Sequence, residues 1–247
     1  MEAARAARLA GHEVTLYEKD NHLGGQFTIS AIPPTKGDIT LYLSWIARQL
    51  EKLGVSIKLN TEYSLEIFEK EKPDLVIIAT GSYPSRPAIP GLDGKNVVVA
   101  QDVLTGKAST GQKVVVAGGG MIGSETATYI ASLGKKVTIV EMLPAIATDE
   151  EFTRRVLLMK MIGEKCIGVV TDAKITGIDE KGVQIEKKQC SMNIEADTVV
   201  LALGMTPDTG LVKELEGKVR LKIVGDAMEV RNALEATREG FLAGAEA

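Results

Sequence analysis

The sequence predicts an α/β protein with parallel sheets layered against helices, on three observations. Short β-branched runs alternate with stretches of helical spacing from one end of the chain to the other. A glycine-rich turn joins one such run to a helix within residues 113–141. A shortened copy of that same pattern lies at the start of the chain.

Taken in order, residues 1–10 have an amphipathic helical pattern, and residues 14–17 (VTLY) read as a strand. Residues 20–36 are loop-like, with Gly24–Gly25 and Pro33–Pro34. Ile39, Tyr42, Leu43, Ile46, Leu50 and Leu53 follow helical spacing, and Trp45 is expected to pack within that helix. A strand at 55–59 follows the stop at Gly54. Residues 74–79 are nearly all apolar, the pattern of a parallel strand buried on both faces, and end in Ala79–Thr80–Gly81. Residues 82–93 contain Pro84, Pro87, Pro90 and Gly91 and read as an ordered linker. A central unit begins near Gln112. A helical stretch at 149–161 follows, then strand-like runs at 167–170, 175–178 and 183–185. A buried-strand pattern at 198–202 ends in Leu203–Gly204. The chain closes with a strand at 220–224, then Gly225–Asp226, and a helix at 232–243.

The chemistry concentrates in residues 113–141, KVVVAGGGMIGSETATYIASLGKKVTIVE. Val114–Ala117 run into Gly118, Gly120, Met121, Ile122 and Gly123, and a helix and a second strand ending in Glu141 follow. That is the order of a dinucleotide site, with the acid 18 residues past Gly123. Gly118 permits the tight turn, Gly120 lets backbone approach a pyrophosphate, and Gly123 lets helix and strand pack closely. The helix start then presents free amides to the phosphates. A carboxylate at Glu141 can accept both ribose hydroxyls of NAD and repels the 2′-phosphate of NADP, so NADH is favoured. An ordinary tight turn would explain the glycines but not the placed acid.

Shifted by 123 positions, residues 1–18 overlie residues 124–141 with six identities in eighteen, including Gly11 on Gly134 and Glu18 on Glu141. Two nucleotide-binding units are therefore expected. In that register the first unit's opening strand and glycine loop fall before Met1, and the first unit is expected to lack them.

Apolar content is 45 % and charged content 25 %, ordinary for a soluble globular protein. The net charge of −4 gives no pull toward nucleic acid. No run is apolar enough to span a bilayer, and residues 1–13 lack the apolar centre of a signal peptide. Cys166 and Cys190 suit a reducing cytoplasm and match no redox or zinc spacing. No metal site is expected, and neither His12 nor His22 fits an acid–base motif, so no catalytic side chain is assigned.

The segments YEKDNHLGGQ (17–26), VIIATGSYPSRPAIPGLDG (76–94), VVVAGGGMIGSETA (114–127), ADTVVLALGMTPD (196–208) and KIVGDA (222–227) resemble the two-dinucleotide-binding-domain flavoprotein oxidoreductases. The likeness is to the C-terminal region of the old yellow enzyme-like NADH:flavin oxidoreductases, the 2,4-dienoyl-CoA reductase group. The resemblance implies two Rossmann-like, three-layer domains. An NAD(P)-binding domain (109–205) would be inserted in an FAD-binding domain (1–108 and 206–247) whose first strand and glycine loop are absent. It implies FAD on Glu18 and Lys19, on Gly24, Gly25 and Gln26, on Ala79, Thr80 and Gly81, and on Gly225 and Asp226. Taken singly, several of these are also plain turn residues, and Asp226 suits a helix N-cap. NADH would lie on the 118–123 loop and Glu141, with Glu125 near the nicotinamide and Gly204 closing the domain. The implied function is a flavin-dependent module passing hydride from NADH to FAD and on to an unidentified acceptor, such as an FMN and iron–sulphur barrel domain or subunit. A truncated remnant that binds NADH without turnover is one alternative; an NADH oxidase or ferredoxin-reductase-like enzyme is another.

Overall fold

The structure, a computed structural model, describes residues 1–247. The chain folds into two compact units, residues 1–31, 36–83 and 205–247 forming the first and residues 32–35 and 84–204 the second. The division expected at residue 109 differs from this over residues 84–108. The strand at Val97–Val99 hydrogen-bonds into the second unit's sheet, which holds the preceding segment there too. Pro90 O accepts from Ile178 N at 2.8 Å, and a Cβ on Gly91 would come within 1.9 Å of Ile178 O. The proline-rich stretch is thus pinned to its own unit.

The first unit opens with α1 (Glu2–Leu9), β1 (Thr15–Tyr17), α2 (Gly25–Ser30), α3 (Gly37–Lys52), β2 (Ser56–Lys58), α4 (Leu65–Glu71), β3 (Leu75–Ile78) and β4 (Ser82–Pro84). α3 turns Ile46 and Leu50 inward and leaves Trp45 partly exposed beside Tyr42 and under the Arg5 guanidinium. Trp45 thus packs against Tyr42 of its own helix while staying exposed. α2 lies in the stretch expected to be loop. It is six residues long, starts on Gly24 and buries no residue, so neither length nor periodicity marks it.

The second unit holds β5 (Val97–Val99), α5 (Ala100–Leu104), β6 (Lys113–Ala117), α6 (Met121–Ser132), β7 (Lys136–Val140), α7 (Phe152–Glu164) and β8 (Gly168–Val170). β9 (Lys174–Asp179), β10 (Gly182–Lys187), β11 (Cys190–Glu195) and β12 (Thr198–Leu201) complete it. β6 is central to a five-stranded sheet of order β5-β12-β6-β7-β8, parallel at every pairing. Alternate residues of β6 face opposite sides. Val114 and Val116 join a core with Ala127 and Ile130 of α6 and Leu158 and Ile162 of α7. Val115 and Ala117 join a second core with Ile175, Ile178, Val183 and Ile185 of the antiparallel β9–β11 sheet. Three layers result, and burial on both faces explains the unbroken apolar run.

The chain returns to the first unit with β13 (Met205–Pro207), α8 (Gly210–Leu215), β14 (Arg220–Ile223) and α9 (Ala233–Ala245). Asn232 caps α9 by accepting from Glu235 N at 3.1 Å. α1 and α9 lie close because both are small-faced: a Cβ on Gly244 would come within 2.2 Å of Ala3 O. The first unit's strands form three separate pairs: β1–β2 and β3–β14, both parallel, and β4 with β13. By the repeat, β1 corresponds to β7, and β2 pairs parallel with β1 as β8 does with β7. β12 is fully buried, whereas Leu75, Val76 and Ile77 of β3 are only half-buried. No helix is long and apolar enough to cross a membrane.

Candidate functional site

The loop between β6 and α6 is built so that two of its positions accept only glycine. Gly118 has φ +99°, and a Cβ there would meet Ala202 O at 2.2 Å. At Gly123 the obstacle is Gly118 O at 2.0 Å, with Ala202 Cβ at 3.2 Å. The obstacles are mostly backbone held in the sheet, so they cannot step aside. Helix and strand therefore approach as the spacing predicts.

Between them, the Gly119 peptide is held from both sides. Its N–H donates to Glu141 Oε2 at 2.6 Å, and its carbonyl accepts from Ala147 N at 2.7 Å and Ser124 Oγ at 2.9 Å. Glu141 is buried at the end of β7, and its Oε1 accepts from Leu143 N at 2.8 Å. A carboxylate has about four lone-pair sites. Two take backbone donors here, Gly119 N and Leu143 N.

α6 has no side-chain cap of its own at Gly120. Its first amide, Met121 N, donates to Asp149 Oδ1 at 2.8 Å, with Oδ2 at 3.1 Å. Ile122 follows in the first turn. Glu125 is buried further along α6, 3.9 Å from Arg154 Nη2, and Arg154 Nε lies 3.4 Å from Glu150. These three charges line a cavity of about 90 Å³ with Pro34 and Leu157. Gly204, at φ +93° beyond β12, accepts from Ser85 N through its carbonyl at 3.0 Å.

In the first unit a smaller network forms around Ser82. Gln26 Nε2 donates to Ser82 O at 2.7 Å and lies 3.0 Å from its hydroxyl. Ser82 Oγ donates to Asp226 Oδ2 at 3.0 Å, and Asp226 Oδ1 accepts from Arg231 N at 3.2 Å. Asp226 thus bridges segments instead of capping a helix; it lies in a single 3₁₀ turn, Gly225–Ala227. Gly225 N donates to Glu239 Oε2 at 2.8 Å, and Glu239 also pairs with Arg231. Gly24 and Gly25 take positive φ at the start of α2, and Gly81 lies against the Gln26 amide. Thr80 Oγ1 donates to Asp208 O at 2.7 Å, and Ala79 is exposed beside it. Glu18 Oε1 accepts from Asp20 N at 2.9 Å across the exposed Lys19. Gln26, Gly81 and Asp226 are therefore brought together, and Glu18 stands outside that network.

Sequence reasoning missed Asp149, Ser82, Arg231 and Glu239. Asp149 lay inside a stretch read as helix; α7 begins three residues later, at Phe152. Ser82 follows the Ala79–Thr80–Gly81 turn directly, and that adjacency was its only signal.

A family model described as pyridine nucleotide-disulphide oxidoreductase matches residues 1–233. The chain is 40 % identical over 248 residues to an NADH oxidase of Thermoanaerobacter brockii, covering 98 % of this chain and 38 % of that protein. It is 36 % identical over 245 residues to a bilirubin reductase of Mediterraneibacter gnavus, covering 98 % and 38 %. A solved 2-naphthoyl-CoA reductase in complex with 2-naphthoyl-CoA superimposes with TM-score 0.96 at 35 % identity, covering all of this chain and 38 % of that one. The chain thus spans about two fifths of the length of these relatives.

Proposed function

The chain belongs to the pyridine nucleotide-disulphide oxidoreductase family, and from that premise we propose that it is a flavin-dependent NADH oxidoreductase module. The second unit holds NADH and the first holds FAD. When bound, the two groups supply hydride donor and acceptor, and the chemistry is theirs. The residues' work is binding and orientation. Gly118 and Gly123 shape the pyrophosphate cradle, and the two open lone pairs of Glu141 take the adenosine ribose diol. Gly204 closes the unit beyond β12, and the Glu125–Arg154–Glu150 cluster lines the cavity beside α6.

The Ser82 network is where FAD is proposed to lie. Asp226 and Gln26 offer fixed polar groups to the ribityl and flavin side, and Gly24, Gly25, Ala79, Thr80 and Gly81 keep the backbone low around it. Glu18 and Lys19 are proposed to meet the adenosine end, and Gly225 frees the backbone before Asp226.

The single observation that carries this reading is the Gly119 peptide, locked between Glu141 and Ala147 inside a loop whose Gly118 and Gly123 leave no room for a side chain. An NADH oxidase is among the similar proteins, which supports NADH as the donor. The acceptor is proposed to be an FMN and iron–sulphur barrel domain or subunit, in keeping with the dienoyl-CoA reductase resemblance and with relatives longer than this chain. Equilibrium binding of NADH, NADPH and FAD to the purified chain tests the reading. NADH should bind more tightly than NADPH, and bound flavin should bleach when NADH is added without oxygen. Failure of NADH to bind a folded chain would refute it.

A further inference from the structure

Asp149 occupies the amide that a pyrophosphate would use. Met121 N opens α6, and both Asp149 oxygens lie within 3.1 Å of it. The same carboxylate covers the loop: a Cβ on Gly120 would lie 3.2 Å from Asp149 Oδ2. One N–H cannot serve two anions at full strength, and a second anion brought close is repelled.

The placement is built in. Ala147 adopts φ +51°, a conformation that disfavours any residue with a Cβ by about 1 kcal/mol. It is held there because its methyl is fully buried and its N–H donates to Gly119 O. That turn directs the next residues back over the loop. Asp149 is not needed to start α7, because Glu151 caps that helix through Thr153 N and Arg154 N. Nor is it neutralised by Arg154, which pairs with Glu150 and Glu125. Asp149 is exposed, as are Met142, Leu143 and Pro144 earlier in the segment, so the carboxylate has solvent to swing into.

We propose that Asp149 is an internal competitor for the dinucleotide pyrophosphate, and that binding requires its carboxylate to leave the Met121 amide. The β7–α7 segment then acts as a latch on the site. This rests on the dinucleotide reading above. Adenosine can reach Glu141 with the latch closed; ligands carrying a pyrophosphate cannot settle until it opens.

The test is binding of adenosine, ADP-ribose and NADH to the wild-type chain, Asp149→Asn and Asp149→Ala, with denaturation midpoints as the folding control. Affinity for ADP-ribose and NADH should rise roughly two- to fivefold, the scale of one exposed charge at a helix start, with Ala above Asn. Adenosine affinity should not move. In stopped flow, the wild-type rate of NADH binding should plateau with concentration as latch opening limits it, and Asp149→Ala should abolish the plateau. Unchanged or weakened binding of ADP-ribose and NADH in folded variants would overturn the proposal. If no ligand binds wild type or variants, the dinucleotide reading itself falls, and the latch with it.

Discussion

Replacing Glu141 by Ala separates the two roles assigned to its carboxylate. The first is structural. The carboxylate accepts from the buried Gly119 N–H at 2.6 Å and from Leu143 N–H at 2.8 Å. Leu143 is exposed, so its amide regains water at little loss. Gly119 is buried, and its orphaned N–H costs about 1–3 kcal/mol. The expected destabilisation is therefore about 2 kcal/mol, read as a lower denaturant midpoint at unchanged slope. Glu141→Gln keeps one acceptor oxygen and should lose about half as much. The second role is binding. Losing charge-assisted bonds to the ribose diol should weaken NADH by about 2–3 kcal/mol, or roughly 30- to 150-fold. NADPH, already repelled by the carboxylate, should lose much less, so the NADH-to-NADPH preference should collapse. An unchanged midpoint in Glu141→Ala would refute the claim that this carboxylate holds the loop. An unchanged ratio of affinities would refute its contact with the ribose.

Other outcomes follow from the same geometry. Gly123→Ala places a methyl against Gly118 O at 2.0 Å, so it should destabilise by at least about 2–3 kcal/mol and abolish NADH binding. Gly163→Ala, in α7 with open space around its Cβ, should instead stabilise by about 0.5–1 kcal/mol; paired melting curves check both signs. Asn232→Ala removes the cap on α9 and should cost about 1 kcal/mol by chemical denaturation. Burial and its hydrogen bond to Glu71 push the Tyr17 phenol up to about 12 from 10. Because the folded value is the higher one, that stabilisation is complete below pH 10 and is lost between about pH 10 and 12. Burial also raises the Tyr42 and Tyr63 phenols, so ultraviolet titration should show several late tyrosinates, and Tyr17→Phe should remove one of them.

The β6–α6–β7 unit was legible because its rules are local. Gly118 and Gly123 are required by atoms a few residues away or on the adjoining strand, and Glu141 falls where β7 must end. The β9–β11 layer was legible only as separate runs: β11 is largely exposed and carries no apolar alternation. β5 hid behind prolines, because its pairing with β12 joins residues a hundred positions apart. Asp149 was illegible for a related reason. Nothing in TDEE says that Ala147 will take a positive φ and turn the acid onto an amide 28 residues earlier. Ser82 was hidden likewise, since its partners Gln26 and Asp226 converge only once the first unit closes.

The close contact of α1 with α9 sets an order of events during synthesis. Every strand of the β6-centred sheet lies within residues 84–204, so that sheet can form as soon as this stretch leaves the ribosome. The earlier-made unit has to wait. Its β3 edge lacks β14, and the alanine face of α1 lacks Gly240 and Gly244, until residues 205–247 follow. At roughly 5–20 residues per second that wait lasts some seconds. During it, apolar β3 and α1 stand open to chaperones or to the wrong strand, and α9 is the helix that ends the exposure of α1.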